Sequence, residues 1–108
     1  MIRVGGENVS SLEVEGLIRT YPKNRDVQVV GVPDQRLTEV AAAVAQMKEG
    51  IECDGEEIVA FSKERLADFE VARYIHFVRE FPMTGSGKIP KFKLREEVIG
   101  NFRLGKRD

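Results

Sequence analysis

The stretch DVQVVGVPD, residues 26–34, constrains the fold more than any other. It is short and β-branched, bounded by Asn24 before it and by Pro33-Asp34 after it, and it reads as a strand. The next segment is ambiguous. In TEVAAAVAQMKEG, residues 38–50, Val40, Val44 and Met47 fit helical spacing and the alanines favour helix. Yet the segment comes directly after a strand and a PDQR turn, so an antiparallel partner of residues 26–34 fits equally well. Pattern alone leaves both open.

The other elements are read from caps and periodicity. MIRV is an extended entry segment and GGEN a glycine-rich turn. SSLEVEGLIRTYP reads as a helix: Ser10 with Glu13 three residues on has capping-box spacing, Val14, Leu17, Ile18 and Tyr21 share one face, and Pro22 ends it. CDGEEIVAFSKERLADF, residues 53–69, reads as a second helix, with Asp54 and Glu57 as a cap pair and Ile58, Phe61 and Leu66 on the apolar side. RYIHFVREFP alternates, with Ile75, Phe77 and Phe81 on one side and Tyr74, His76 and Val78 on the other, as a strand does. After the MTGSGK loop, PKFKLREEVIG closes the chain's order with a helix carrying Leu94 and Val98. Short strands interleaved with helices predict an α+β domain, a small sheet with helices packed on it.

At 108 residues the chain is long enough for one modest core. It has no apolar run near 18 residues, so no transmembrane helix is expected. MIRVGGENVS lacks the basic flank and apolar stretch of a signal peptide. The single cysteine, Cys53, cannot form an internal disulfide, which fits a reducing compartment; a cytoplasmic location is expected. Charge is unevenly divided. Residues 1–81 carry net −5 and residues 82–108 net +4, from Lys88, Lys91, Lys93, Arg95, Arg103, Lys106 and Arg107 against three acids. A basic end can meet nucleic acid or a phosphorylated small molecule, and more commonly is a solvated helix face. Nucleic acid is not expected, because Phe92 and Phe102 are the only aromatics available for stacking there.

Two glycine-containing loops are the candidate sites. TGSGK, residues 84–88, is not a phosphate-binding P-loop: Pro82 stands where its first glycine would fall, and Ile89 replaces the hydroxyl residue after the lysine. Gly85 and Gly87 nevertheless allow a sharp turn and close approach to a partner, Thr84 and Ser86 are small, and Phe81-Pro82 and Ile89-Pro90 can anchor the ends. Such a loop can deliver one ammonium, that of Lys88, into a cleft. The commoner role of such a segment is an exposed turn with an ordinary surface lysine. GGEN offers bare backbone before a helix, suited to an anionic group or to nothing more than a turn. His76 has no companion at ligand spacing and reads as structural, Cys53 reads as inert, and no metal site is expected.

Together, MIRVGGENVSSLEVEGLI, DVQVVGVPDQR and FPMTGSGKIPKFKLR, in that order and spacing, resemble the C-terminal domain of acyl-CoA synthetases in the adenylate-forming (AMP-binding) superfamily. The resemblance covers roughly residues 1 to 99, and the GGEN form is more similar to fatty-acyl, medium-chain and carnitine-type CoA ligases than to acetyl-CoA synthetases. It implies a small, mostly antiparallel sheet in which residues 38–48 are a strand. It implies that residues 1–108 are the mobile lid domain of an acyl-CoA ligase, nearly inactive alone. A separate N-terminal AMP-binding domain would hold ATP, the carboxylic acid and most of the Mg contacts, and the hinge would lie just upstream of Met1.

The same resemblance assigns roles. Lys88 is the catalytic lysine that touches carboxylate and phosphate as acyl-adenylate forms. Gly5 and Gly6 pass the pantetheine arm of CoA in a second pose. Arg3 lies near the nucleotide, and Asn8 near phosphate or carboxylate. A compact ammonium suits charge that develops on a carboxylate and a phosphate together. The sequence departs from the pattern at Thr38, where glycine is common, and at Ala72, where proline is common. The alternative is a stand-alone binding or regulatory module that docks on a partner domain.

Overall fold

The strand β4 (Thr38–Met47) is the centre of the molecule, and every residue from Val40 to Ala45 is buried. The computed structural model describes residues 2–81 and 90–104. In chain order its elements are β1 (Ile2–Val4), β2 (Glu7–Val9), α1 (Ser11–Arg19), β3 (Asn24–Asp34), β4, α2 (Gly55–Lys63), β5 (Tyr74–Val78) and α3 (Lys91–Phe102), with a 3-10 turn at Asp68–Glu70. The sheet runs β2-β1-β4-β3, and β5 lies beside β4 on the side away from β3. All pairings are antiparallel except β4 with β5.

Residues 38–47 are therefore a strand. The turn before them decides it: the Asp34 carboxylate accepts from the backbone N–H groups of Arg36 (3.0 Å) and Leu37 (2.8 Å), which reverses the chain and sets Asp34 opposite Thr38. From there the ladder continues to Asn24 opposite Met47, with one irregularity between Asn24 and Asp26. Alanine's advantage in a helix is a few tenths of a kcal/mol per residue, less than the burial and pairing gained on both faces. The small side chains also let helices approach the sheet closely.

Strand alternation on β5 separates the layers. Ile75 faces α2, where a side chain at Gly55 would come within 3.3 Å of it. Tyr74 and His76 face the other way: Tyr74 stacks on Phe102 of α3 at 5.1 Å, and His76 Nδ1 lies 3.4 Å from the Asn101 amide nitrogen. Helix α1 packs beside α2, with Tyr21 against Phe61 at 5.0 Å. The sheet thus lies between α1 and α2 on one face and α3 on the other.

The helices begin as their caps require. Ser10 Oγ accepts from the N–H of Glu13, and Asp54 with Glu57 forms a reciprocal capping box. Helix α2 is shorter than the sequence suggests: it stops at Lys63 rather than running to residue 69. Buried Ser62 turns its hydroxyl back to the Ile58 carbonyl (2.9 Å), and Leu66 N–H closes onto Ser62, so the chain turns and brings Leu66 against the core. GGEN is also more than a turn, since Glu7 to Val9 add a strand.

The outer edge of β3 is closed by charged side chains. Val27 N–H donates to Asp26 and its carbonyl accepts from Arg19 (3.2 Å). Val29 N–H donates to Glu15 (2.8 Å), and its carbonyl accepts from Lys91 (3.2 Å). The Gly31 carbonyl accepts from Arg95 Nε (2.8 Å). Glu15, only 2% exposed, also pairs with the Lys91 ammonium. Helices from opposite faces thus meet around one strand edge, which makes that edge a poor template for another strand. Lys91 and Arg95, which read from sequence as part of a basic surface, are engaged in this closure.

These contacts make two outcomes testable. Glu15→Ala leaves the Val29 N–H buried without its acceptor and Lys91 without its partner, and it should lower the unfolding free energy by about 2 to 4 kcal/mol. Glu15→Gln, which retains an acceptor, should lose less; urea denaturation measures both. The second concerns Glu57, which accepts from Asp54 N–H (2.9 Å), Lys23 (2.7 Å) and the Tyr21 hydroxyl (2.8 Å). These bonds, the Asp54 amide first, hold its carboxyl down from about 4.5 to about 2. A depressed folded pKa gives stability that is present above about 4.5 and lost as pH falls towards about 2. Glu57→Gln should therefore flatten the acid limb of Tm against pH in that window.

Candidate functional site at the glycine hairpin

Gly5 and Gly6 form the two-residue turn between β1 and β2, with Val4 opposite Glu7 at its base. Their φ angles, +56° and +89°, are those of a type I′ turn, where both central residues need the left-handed region. The two glycines differ in surroundings. A Cβ on Gly5 would stand 3.0 Å from Leu37 Cδ2, so this residue is backed by the turn before β4. A Cβ on Gly6 would meet nothing within 4 Å among the described residues, so its backbone lies open there.

The hairpin has two faces. Ile2, Val4 and Val9 are buried beneath it. Arg3 and Asn8 stand opposite one another on the outer face, with Arg3 Nε 3.4 Å from Asn8 Oδ1. The structure therefore brings Arg3, Gly5, Gly6 and Asn8 together on one small projecting unit. Lys88 and the rest of residues 82–89 lie outside the described residues. The residues flanking that segment are held: Phe81 is half-buried against the core, and Pro90 is buried as the N-cap of α3.

Among the described residues, a small set of bonds fastens the hairpin to the sheet. Val4 is the one residue of β1 paired with β4, opposite Thr38. Gly5 N–H donates to the Leu37 carbonyl (3.0 Å), and Arg3 N–H donates to the Glu39 carboxylate (3.0 Å). Thr38 adopts φ +72°, a region in which a β-branched residue is strained. A glycine there would be free of that strain. Beside the hairpin lies a cleft of about 230 Å³ lined by Ile2, Ser11, Gly31, Glu39, Phe92 and Arg95 among others. Phe92, in the first turn of α3, is 65% exposed.

The remaining sequence candidates are structural. His76 lies between β5 and α3, its Nε2 3.8 Å from Glu97. Cys53 is half-buried with its thiol donating to the Asp54 carbonyl (3.5 Å), and burial first, then the Glu57 charge, pushes the thiol up. That makes it a poor nucleophile. Among the described residues no group of three or more His, Cys, Asp or Glu side chains is arranged to hold a metal. No helix among them is long and apolar enough to cross a membrane. Glu39 is the residue that sequence reasoning misses. Its contact with Arg3 spans 36 residues, and no local pattern signals it.

Comparison with known proteins gives a consistent result. The family model described as AMP-binding enzyme C-terminal domain matches residues 13–88. The chain is 48% identical over 104 residues to the mitochondrial medium-chain acyl-CoA ligase ACSF2 of Macaca fascicularis, covering 96% of this chain and 17% of that protein. It is 43% identical over 104 residues to the putative acyl-CoA synthetase YngI of Bacillus subtilis, covering 96% of this chain and 19% of that one. The Mycobacterium tuberculosis fatty acyl CoA synthetase superposes with a TM-score of 0.84 at 35% identity, over 94% of this chain and 20% of that one. The chain thus spans less than a fifth of the length of the curated relatives named here.

The strain at Thr38 is open to measurement. Thr38→Gly removes a cost of about 1 to 3 kcal/mol and gives back up to about 1 kcal/mol in chain entropy. A net gain of about 1 kcal/mol should raise Tm by about 4 to 8 °C, by calorimetry or circular dichroism. Thr38→Val keeps the strain and should not produce the gain.

Proposed function

Because this chain belongs to the AMP-binding enzyme C-terminal domain family, we propose that it is the smaller, mobile domain of an acyl-CoA ligase whose larger N-terminal domain binds ATP and a carboxylic acid. Nearly inactive alone, it completes that site. The glycine hairpin carries the reading: an exposed type I′ turn, open over Gly6, is a surface against which a narrow thiol-bearing arm can lie. The likeness to acyl-CoA ligases along nearly the whole chain supports it.

In the reaction so assigned, a carboxylate oxygen attacks the α-phosphorus of ATP and pyrophosphate leaves. The CoA sulfur then attacks the acyl carbonyl, AMP leaves, and the thiol proton is given up. Lys88, assigned by resemblance, acts in the first step by placing an ammonium against the charge shared by carboxylate and phosphate. Removing such a group typically costs about 3 to 4 kcal/mol of transition-state stabilisation. Gly5 and Gly6 act in the second step by leaving room for the pantetheine arm. The Arg3 guanidinium and the Asn8 amide NH2 present donors beside it, suited to phosphate or carboxylate oxygens, while Asn8 Oδ1 accepts from Arg3. Mg accompanies ATP and belongs to the larger domain, and no residue of this chain is assigned to hold it. A fatty acid is the substrate class, and the reducing, cytoplasmic setting is inferred from the cysteine usage; the name of the Macaca fascicularis relative places that protein in mitochondria.

Lys88→Ala tests the assignment in the ligase that carries this domain. Acid-dependent pyrophosphate exchange should fall by about 100-fold or more. Thioester formation from supplied acyl-adenylate and CoA should stay within about threefold of the unaltered enzyme, since the lysine is not used in that step. Equal loss in both half-reactions would remove Lys88 from the role given to it.

A further inference from the structure

We infer that Glu39 is the positioning residue for the glycine hairpin, setting the pose in which Gly5 and Gly6 meet CoA. This rests on the ligase reading of the domain. Strand β1 is joined only lightly to the sheet. Among the described residues Val4 alone is paired with β4, and the backbone N–H of Arg3, one residue earlier, finds a side chain instead of a strand. Glu39 Oε1 accepts it at 3.0 Å, so one carboxylate from β4 stands in for a ladder bond.

A place is built for that carboxylate. Gly31 and Ala41 are opposite one another in the β3–β4 ladder, so Glu39, two residues from Ala41, is the diagonal neighbour of Gly31 on the same face. A Cβ on Gly31 would come within 2.8 Å of Glu39 Oε2 and 3.0 Å of its carboxyl carbon. Only glycine at 31 leaves the carboxyl group that space. The Gly31 carbonyl is in turn held by Arg95 of α3, which fixes the strand under the carboxylate. Three elements therefore converge on one bond to the hairpin. Glu39 does not act on Gly5 or Gly6 directly; it acts on them along the strand, through Arg3 and Val4.

Loss of the acceptor frees the hairpin to pivot about its remaining ties at Val4 and Gly5. Misplacement of a binding element by about 1 Å is enough to cost 10-fold to 100-fold in a step that depends on it. Only the CoA step uses the hairpin, so the effect should be selective.

The experiment compares Glu39→Ala and Glu39→Gln in the full-length ligase, with pyrophosphate exchange and thioester formation measured separately. Glu39→Ala should raise KM for CoA by about 10-fold with pyrophosphate exchange within about twofold, and Glu39→Gln, which keeps an acceptor oxygen, should restore KM to within about threefold. An unchanged KM in Glu39→Ala, equal losses in alanine and glutamine variants, or equal losses in both half-reactions would each overturn the inference. Gly6→Asn serves as the separate test of the underlying reading, since asparagine tolerates positive φ while adding a side chain on the open face. If Gly6→Asn leaves the CoA step intact, the hairpin's assignment to CoA fails. If Gly6→Asn impairs that step and Glu39→Ala does not, only the positioning role of Glu39 fails.

Discussion

The contact between Glu15 and Lys91 holds the architecture together, because it is where the two sides of the sheet are joined. One partner comes from α1, the other from α3, and the backbone of Val29 lies between them, donating to the first and accepting from the second. A buried carboxylate is costly by itself. Here it has both a counter-charge and a backbone donor, so the cost of its burial is offset by partners on two different elements. The same contact fixes the first residue of α3, and with it the point at which the chain leaves residues 82–89.

The hairpin shows the opposite design. It is fastened by a few backbone bonds at its base and by one side chain, and it carries its polar pair outward. Its turn needs two positive φ angles and has two glycines, whereas the adjoining strand entry needs another and has threonine. Strain at Thr38 is thus stored next to the glycine hairpin. The closed edge and the hairpin flank the same cleft, with Lys91 and Arg95 on one side and Ile2 on the other.

Local signals are legible in the sequence. Both N-caps, the strand at 26–34, the alternation of residues 74–78 and the apolar stripe of α1 all stand where the residues imply, because each depends on neighbours within four positions. Residues 38–47 are not decidable from pattern, since alanine's helix preference and the hairpin context point in opposite directions and only the ladder resolves them. Strand β2 escapes notice because three residues give no periodicity. Lys91 and Arg95 read as surface charge because their targets are backbone carbonyls 62 and 64 residues away, and a carbonyl leaves no mark in a sequence. Gly5 and Gly6 are recognisable as a turn, but the carboxylate that steadies them is not.

Closure of the β3 rim has a consequence for handling this chain in concentrated solution. Bare strand margins are what let unfolded neighbours stack into fibrils, and this margin is already occupied by Arg19, Asp26, Glu15, Lys91 and Arg95. Three of the five are cations sharing the rim with two carboxylates, so concentrated salt, which screens charge, is the condition under which that protection would weaken first.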